Sequence, residues 1–267
     1  MKITRREFIG LAAVFGAASC ARVREIDIPL IGEGEETFTF AAMNDLHVLD
    51  AASTAIVNRA VKGINANPDV RFTAVLGDLA TAGRLAELNL AKGSLAKLEK
   101  PWFSVPGNHD VDMSSRNIYA NYEKDFGDCT WTQEQSGWVF LGLDTCEGAG
   151  SDVTVRPERV AWLKKRVKHI KKDRPIGLFA HHPFNPNTQA YRVKNADEIL
   201  GLFAGHNLKL VACGHWHGNQ VEEKDGILYT TTACCSSTRD NFDKTPEKGY
   251  RLFHVDKSVI TTEFVVA

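Results

Sequence analysis

Five short blocks of this chain concentrate residues able to hold metal ions. They are Asp45-Leu46-His47, Gly77-Asp78, Gly107-Asn108-His109-Asp110, Ala180-His181-His182-Pro183 and Gly214-His215-Trp216-His217. Between them they offer carboxylates, an amide and several imidazoles. That donor mixture suits a pair of first-row transition metals. It is too poor in oxygen for a calcium cage and has no thiolates for a structural zinc site. Two such metals about 3.5–4 Å apart can grip a phosphate and turn a bound water into a nucleophile. Singly, each block has a plainer reading. Asp-x-His is common, Gly-Asp is a turn, and one histidine at a strand end is usually a satisfied core residue. Five blocks in order, each closing an apolar run, point to one site.

The intervening pattern supplies elements to position them. Apolar runs at 37–43, 72–76, 102–105, 138–143, 176–180 and 208–213 read as strands, most of them running into a block. Ser53 is placed to cap a helix whose inward residues are Ile56, Val57, Ala60, Val61 and Ile64, ending before Asn67-Pro68. Leu88, Ala91, Leu95 and Leu98 form a second stripe. Pro157 opens a third helix, with Val160, Leu163, Val167 and Ile170 inward. A short helix is expected around Ile199, Leu200 and Phe203. The tail, 227–232, 250–255 and 259–266, is all strand. Alternating strands and helices predict an α/β fold in a single domain, with the site at the carboxyl ends of the strands.

The first residues read as a leader. Thr4-Arg5-Arg6-Glu7-Phe8-Ile9 resembles a twin-arginine signal, and the apolar core at 10–18 is too short to span a bilayer. Ala17-Ala18-Ser19-Cys20 resembles a lipoprotein processing box, which would leave Cys20 as a lipidated N-terminus and anchor the protein to a membrane. Residues 1–20 are therefore expected to be a signal peptide, 21–36 a Gly/Glu-rich tether and 37–267 the folded domain. The expected location is outside the cytoplasm, periplasmic or membrane-tethered. The whole chain carries a net charge of −1. Its first nineteen residues hold Lys2, Arg5 and Arg6 against Glu7, so the remainder is near −3. That balance argues against nucleic acid as a partner. A small phosphoester remains compatible, because metals can supply local positive charge. Of the cysteines beyond Cys20, Cys129 and Cys146 are the first expected disulfide pair in an oxidising compartment. Cys213 reads as a buried small apolar residue.

The ordered blocks resemble the calcineurin-like metallophosphoesterase superfamily, whose pattern is D-x-H, G-D, G-N-H-D/E, a strand-terminal His and G-H-x-H. The resemblance spans about 37–267. It implies a four-layer α/β/β/α sandwich with two divalent metal ions (Mn, Fe, Zn or similar) at the strand ends. It further implies that Asp45, His47 and His217 bind one metal, that Asn108, His181 and His215 bind the other, and that Asp78 bridges them. His109 would stand just beyond the metals as the catalytic group, and Asp110 would orient it. The adjacent His181 and His182 compete for one position; the pattern favours His181, with His182 near the substrate.

Two departures narrow the branch. Val105-Pro106 precede Gly107 and Asp110 follows His109, unlike the Arg-Gly-Asn-His-Glu of the Ser/Thr phosphatases. Thr81 stands where purple acid phosphatases need a tyrosine. The remaining likeness is to the cyclic-nucleotide and glycerophosphodiester phosphodiesterase branch. The expected reaction is therefore metal-dependent phosphodiester hydrolysis. A phosphomonoesterase or nucleotidase is the enzymatic alternative, and a non-catalytic metal-binding envelope lipoprotein the non-enzymatic one. Arg116 and Arg192, in loops after the blocks, are candidates for a phosphate-gripping cation.

Overall fold

The computed structural model describes residues 37–188 and 190–267. The leader and tether lie outside the described residues. Two sheets stack face to face. The first has the order β11-β10-β1-β2-β3, built from Val259–Val266, Gly249–Asp256, Thr37–Met43, Val70–Leu76 and Trp102–Val105. The second has the order β4-β5-β6-β7-β9-β8, from Trp131–Gln135, Trp138–Leu143, Pro175–Ala180, Asn207–Cys213, Ile227–Thr231 and Gln220–Lys224.

Helices cover both outer faces. α1 (Thr54–Asn65), α2 (Leu85–Leu95) and α3 (Ala120–Phe126) pack on the first sheet, and α4 (Pro157–His169) and α5 (Ala196–Gly201) on the second. The result is the expected four-layer α/β/β/α sandwich. A central strand in such a stack is buried on both faces, which is why these strands are continuous apolar runs. In β1, Phe38, Phe40 and Ala42 face the other sheet, while Ala41 and Met43 face the helices.

Aromatic rings fill the space between the sheets. Phe40 stacks on Phe72 (4.9 Å between centroids) and on Phe253 (4.8 Å), and meets Phe140 and Phe179 edge-on at 5.1 and 5.7 Å. These offset and edge contacts lock the two sheets in one register. Gly177 on β6 has no side chain because a Cβ there would come within 2.7 Å of the Phe140 ring.

Two local expectations differ from the structure. Ser53 makes no capping bond to α1. Its hydroxyl accepts from the amides of Leu49 and Asp50 and donates to the Asp50 carbonyl, closing the turn that follows the His47 block. The stripe of α4 faces inward as expected: Leu163 and Val167 are buried, and Val160 and the C-cap residue Ile170 pack partly covered against the same core. Cys129 and Cys146 are free thiols, not a disulfide. Both lie in the apolar layer behind the first sheet, and the Cys146 thiol points to the Pro106 carbonyl at 3.4 Å.

Candidate metal centre

β1, β2 and β3 run parallel, as do β5, β6, β7 and β9. The carboxyl ends of both parallel sets therefore open on one edge of the sandwich. All five blocks leave the sheets there. Each must turn sharply, and the backbone records it. Asp45, His47, Asp78, His215 and His217 all hold positive φ, between 43° and 68°. That region is rare for residues with a side chain, and a cluster of such residues marks a functional constraint. Glycines make the approach possible. Gly77 (φ +81°) sits against Gly107 and His181, and a Cβ on Gly214 would meet Leu76, Asn44 and Asp45 at 2.9–3.0 Å.

Two groups of donors result. In the first, His47 Nε2 and His217 Nε2 are 3.1 Å apart, and His217 Nε2 is 3.2 Å from Asp45 Oδ1. In the second, His181 Nε2 lies 3.1 Å from Asn108 Oδ1 and 3.2 Å from His215 Nδ1. Asp78 stands between them. Its Oδ2 is 3.5 Å from His47 Nε2 and its Oδ1 is 3.4 Å from His181 Nε2.

The remaining hydrogen bonds fix which atoms face inward. A carbonyl only accepts, so a ring nitrogen against one must carry the proton. His181 Nδ1 donates to Leu76 O, and His217 Nδ1 to Asp240 O. Both rings thus turn Nε2 toward the centre, the orientation expected of metal-ligating histidines. Asn108 donates its amide to Ala149 O, which leaves Oδ1 facing His181. Asp45 Oδ2 accepts from Asn44 and from the His215 amide, whereas Asp45 Oδ1 is fully buried and accepts no hydrogen bond.

A buried, unsatisfied carboxylate oxygen is costly unless a cation compensates it. Two ligands on one metal with bonds of about 2.1 Å stand about 3 Å apart when they meet at a right angle. The donor separations of 3.1–3.2 Å within each group match that spacing, so the residues present fit a metal pair. Electrostatics agree. Burial works to raise the Asp45 carboxyl, but the His217, His181 and His47 imidazoles overcome it and hold it well below the usual range. Burial pushes His47 down to about 2 and His215 to about 3, favouring the neutral, ligating form. Burial would also lower His217, yet Asp45 beside it outweighs this and lifts it to about 11. The cluster attracts positive charge where the donors converge.

His109 is half-buried at the lip. Its Nδ1 donates to Thr81 O at 2.7 Å, and its ring stands edge-on to His47 with centroids 4.9 Å apart. Asp110 does not orient it. The Asp110 oxygens accept from the amides of Ala80 (2.9 Å) and Gly107 (2.8 Å), pinning the Asp78 turn to the Asn108 turn. Its carboxyl is pushed up to about 7 by burial and by Asp78. His182 is not at the substrate face. It is fully buried behind His215, with Nδ1 on the Thr145 hydroxyl. Arg192 is engaged by Asp197 and Phe184 O, and Arg116 is exposed away from the opening.

Over the cluster lies an opening of about 400 Å³, rimmed by Trp216, Tyr191, Phe242 and Arg239 as well as His109. The last three rim residues other than His109 have no motif around them, and nothing in their spacing signals the site.

Residues 38–219 match the family described as calcineurin-like phosphoesterase. The chain belongs to that family. A probable glycerophosphodiester phosphodiesterase of Arcobacter nitrofigilis is 27% identical over 211 residues, 72% of this chain and 71% of that protein. A probable cyclic nucleotide phosphodiesterase of Rhodopseudomonas palustris is 28% identical over 196 residues, 67% of this chain and 69% of that one. Among solved structures, GAP50, the anchor in the inner membrane complex of Plasmodium, shares the fold with a TM-score of 0.63 at 15% identity, covering 86% of this chain and 84% of that one. Calcineurin-like phosphoesterases use two divalent metals, and here Asp45, His47, Asp78 and His217 converge as one donor group and His181, His182 and His215 as a second.

Proposed function

We propose that the protein hydrolyses phosphodiesters with two divalent metals held at the strand ends. The observation that carries this reading is the Asp78 carboxylate, set with one oxygen toward each donor group. Asp45, His47 and His217 would hold one ion, Asn108, His181 and His215 the other, and Asp78 both. When bound, the pair supplies Lewis acidity and an activated water.

The chain's own residues do the rest. Asp110 keeps the Asp78 and Asn108 turns in register through backbone amides. Thr81 O holds the His109 ring, leaving Nε2 for a phosphoryl or leaving-group oxygen. There, as the doubly protonated imidazolium, it would donate its Nε2 proton to the departing alkoxide and become neutral, or balance charge on the phosphoryl group. The relatives named as phosphodiesterases support a diester substrate. The exposed rings of Tyr191 and Phe242 at the rim favour one bearing a planar or apolar substituent.

The test is turnover of bis(p-nitrophenyl) phosphate beside p-nitrophenyl phosphate, with Mn(II) or with chelator. We expect the diester to be the better substrate and chelator to abolish both activities. A clear monoester preference would move the assignment to a phosphatase.

The leader pattern supports export, with Cys20 as a lipid attachment point. Fractionation of cells is expected to place the mature chain outside the cytoplasm. A full-length, soluble cytoplasmic product would refute export.

A further inference from the structure

The loop from Ser236 to Phe242 carries no feature that marks it in sequence, yet it is tied to the metal centre at three points. The Thr238 hydroxyl donates to His47 O at 2.9 Å, His217 Nδ1 donates to Asp240 O at 3.1 Å, and the Phe242 amide donates to His217 O at 3.0 Å. The Phe242 ring also stacks on His217, with centroids 4.9 Å apart. Such a loop is positioned by the same blocks that form the cluster. Its central residue is Arg239, which lines the opening together with His47, His109 and His217.

Among the described residues, no acidic side chain pairs with Arg239. It is half-buried, and its Nε is shielded from solvent without a hydrogen-bond acceptor. The other arginines near this edge are engaged: Arg156 and Arg159 by Asp144, Arg192 by Asp197, and Arg251 by Thr232 and Asn219. A guanidinium held beside a cation-binding cluster is repelled by it unless an anion comes between them. Its planar fork matches the oxygens of a phosphoryl group, and that match is stronger than a point charge offers.

We infer that Arg239 is a substrate-binding residue that grips a non-bridging oxygen of the phosphoryl group at the opening, beside the His47 and His217 blocks. This rests on the phosphoesterase reading above. In that role the loop supplies what Arg116 and Arg192 do not, a cation facing the reacting group. Losing a charge-assisted, partly desolvated hydrogen bond weakens binding by about 10- to 100-fold.

The experiment uses the full chain loaded with Mn(II), as wild type, Arg239→Ala, Arg239→Gln and Arg239→Lys. Three quantities are read: KM and kcat for bis(p-nitrophenyl) phosphate, the inhibition constant of inorganic phosphate, and bound manganese per chain. We expect the Ala and Gln variants to raise KM and the phosphate inhibition constant by about tenfold or more. Manganese content should stay at the wild-type value, and kcat should fall less than KM rises. Lys should recover part of the loss, because it restores charge without the fork. A KM and an inhibition constant within about twofold of wild type in both Ala and Gln would overturn the inference. So would a loss of bound manganese that accounts for the whole effect. If the wild type turns over neither ester, the phosphoesterase reading fails separately. Calorimetric binding of phosphate then decides for Arg239: weaker binding by the Ala variant supports it, and equal or undetectable binding by both proteins overturns it.

Discussion

Asp78→Asn is expected to lower diester turnover by about 10³-fold and to leave the chain unable to hold two metals together. Asp78 is the one side chain whose two oxygens face the two donor groups, at 3.5 Å from His47 Nε2 and 3.4 Å from His181 Nε2. Asparagine keeps the shape but removes the charge and replaces one oxygen with an N–H donor. That donor would point at imidazole nitrogens or repel a cation. The substitution isolates chemistry from folding. Asp78 has φ 53°, and asparagine tolerates that left-handed region as well as aspartate does. Circular dichroism should therefore show a folded variant while metal analysis shows fewer ions. A variant with wild-type turnover would remove Asp78 from the bridging position.

His109→Ala has the second-largest expected effect, a loss of about 10²–10⁴-fold in kcat, the scale of general-acid catalysis. Unlike Asp78→Asn, it should keep its metals. The His109 backbone amide donates to Asp78 Oδ1 at 2.8 Å, and alanine retains that bond. What is lost is the ring, held at the lip by Thr81 O with Nε2 left for the substrate. The pair of variants separates two roles in adjacent blocks: one alters metal content, the other only rate. Near-normal kcat in His109→Ala would place proton transfer elsewhere.

The five blocks were readable because glycines and metal-ligating residues rarely fall together at strand ends without a reason. The inner strands were readable for a simpler cause: burial on both faces makes 138–143 or 208–213 continuous apolar runs. Edge strands lack that mark. β8 is Gln-Val-Glu-Glu-Lys and β4 carries Gln133 and Gln135, so neither alternates cleanly. The seven-residue α3 is too short to show a stripe. Within the site, Asp110 followed His109 and suggested a carboxylate–imidazole pair. Its actual partners are backbone amides, which no residue type announces. Ser53 stood where a cap belongs, but the turn after His47 competes for the same hydroxyl. Arg239 and Phe242 reach the opening only because the loop after β9 folds back onto His47 and His217. That proximity is long-range and leaves no spacing to read.

The most direct test of the metal centre is a titration of the chelator-treated, metal-free chain with Mn(II), following bound metal and bis(p-nitrophenyl) phosphate turnover together. No turnover is expected without metal, and full activity only when two ions are bound per chain. Full activity in the metal-free chain, or saturation at a single ion, would contradict a two-metal centre.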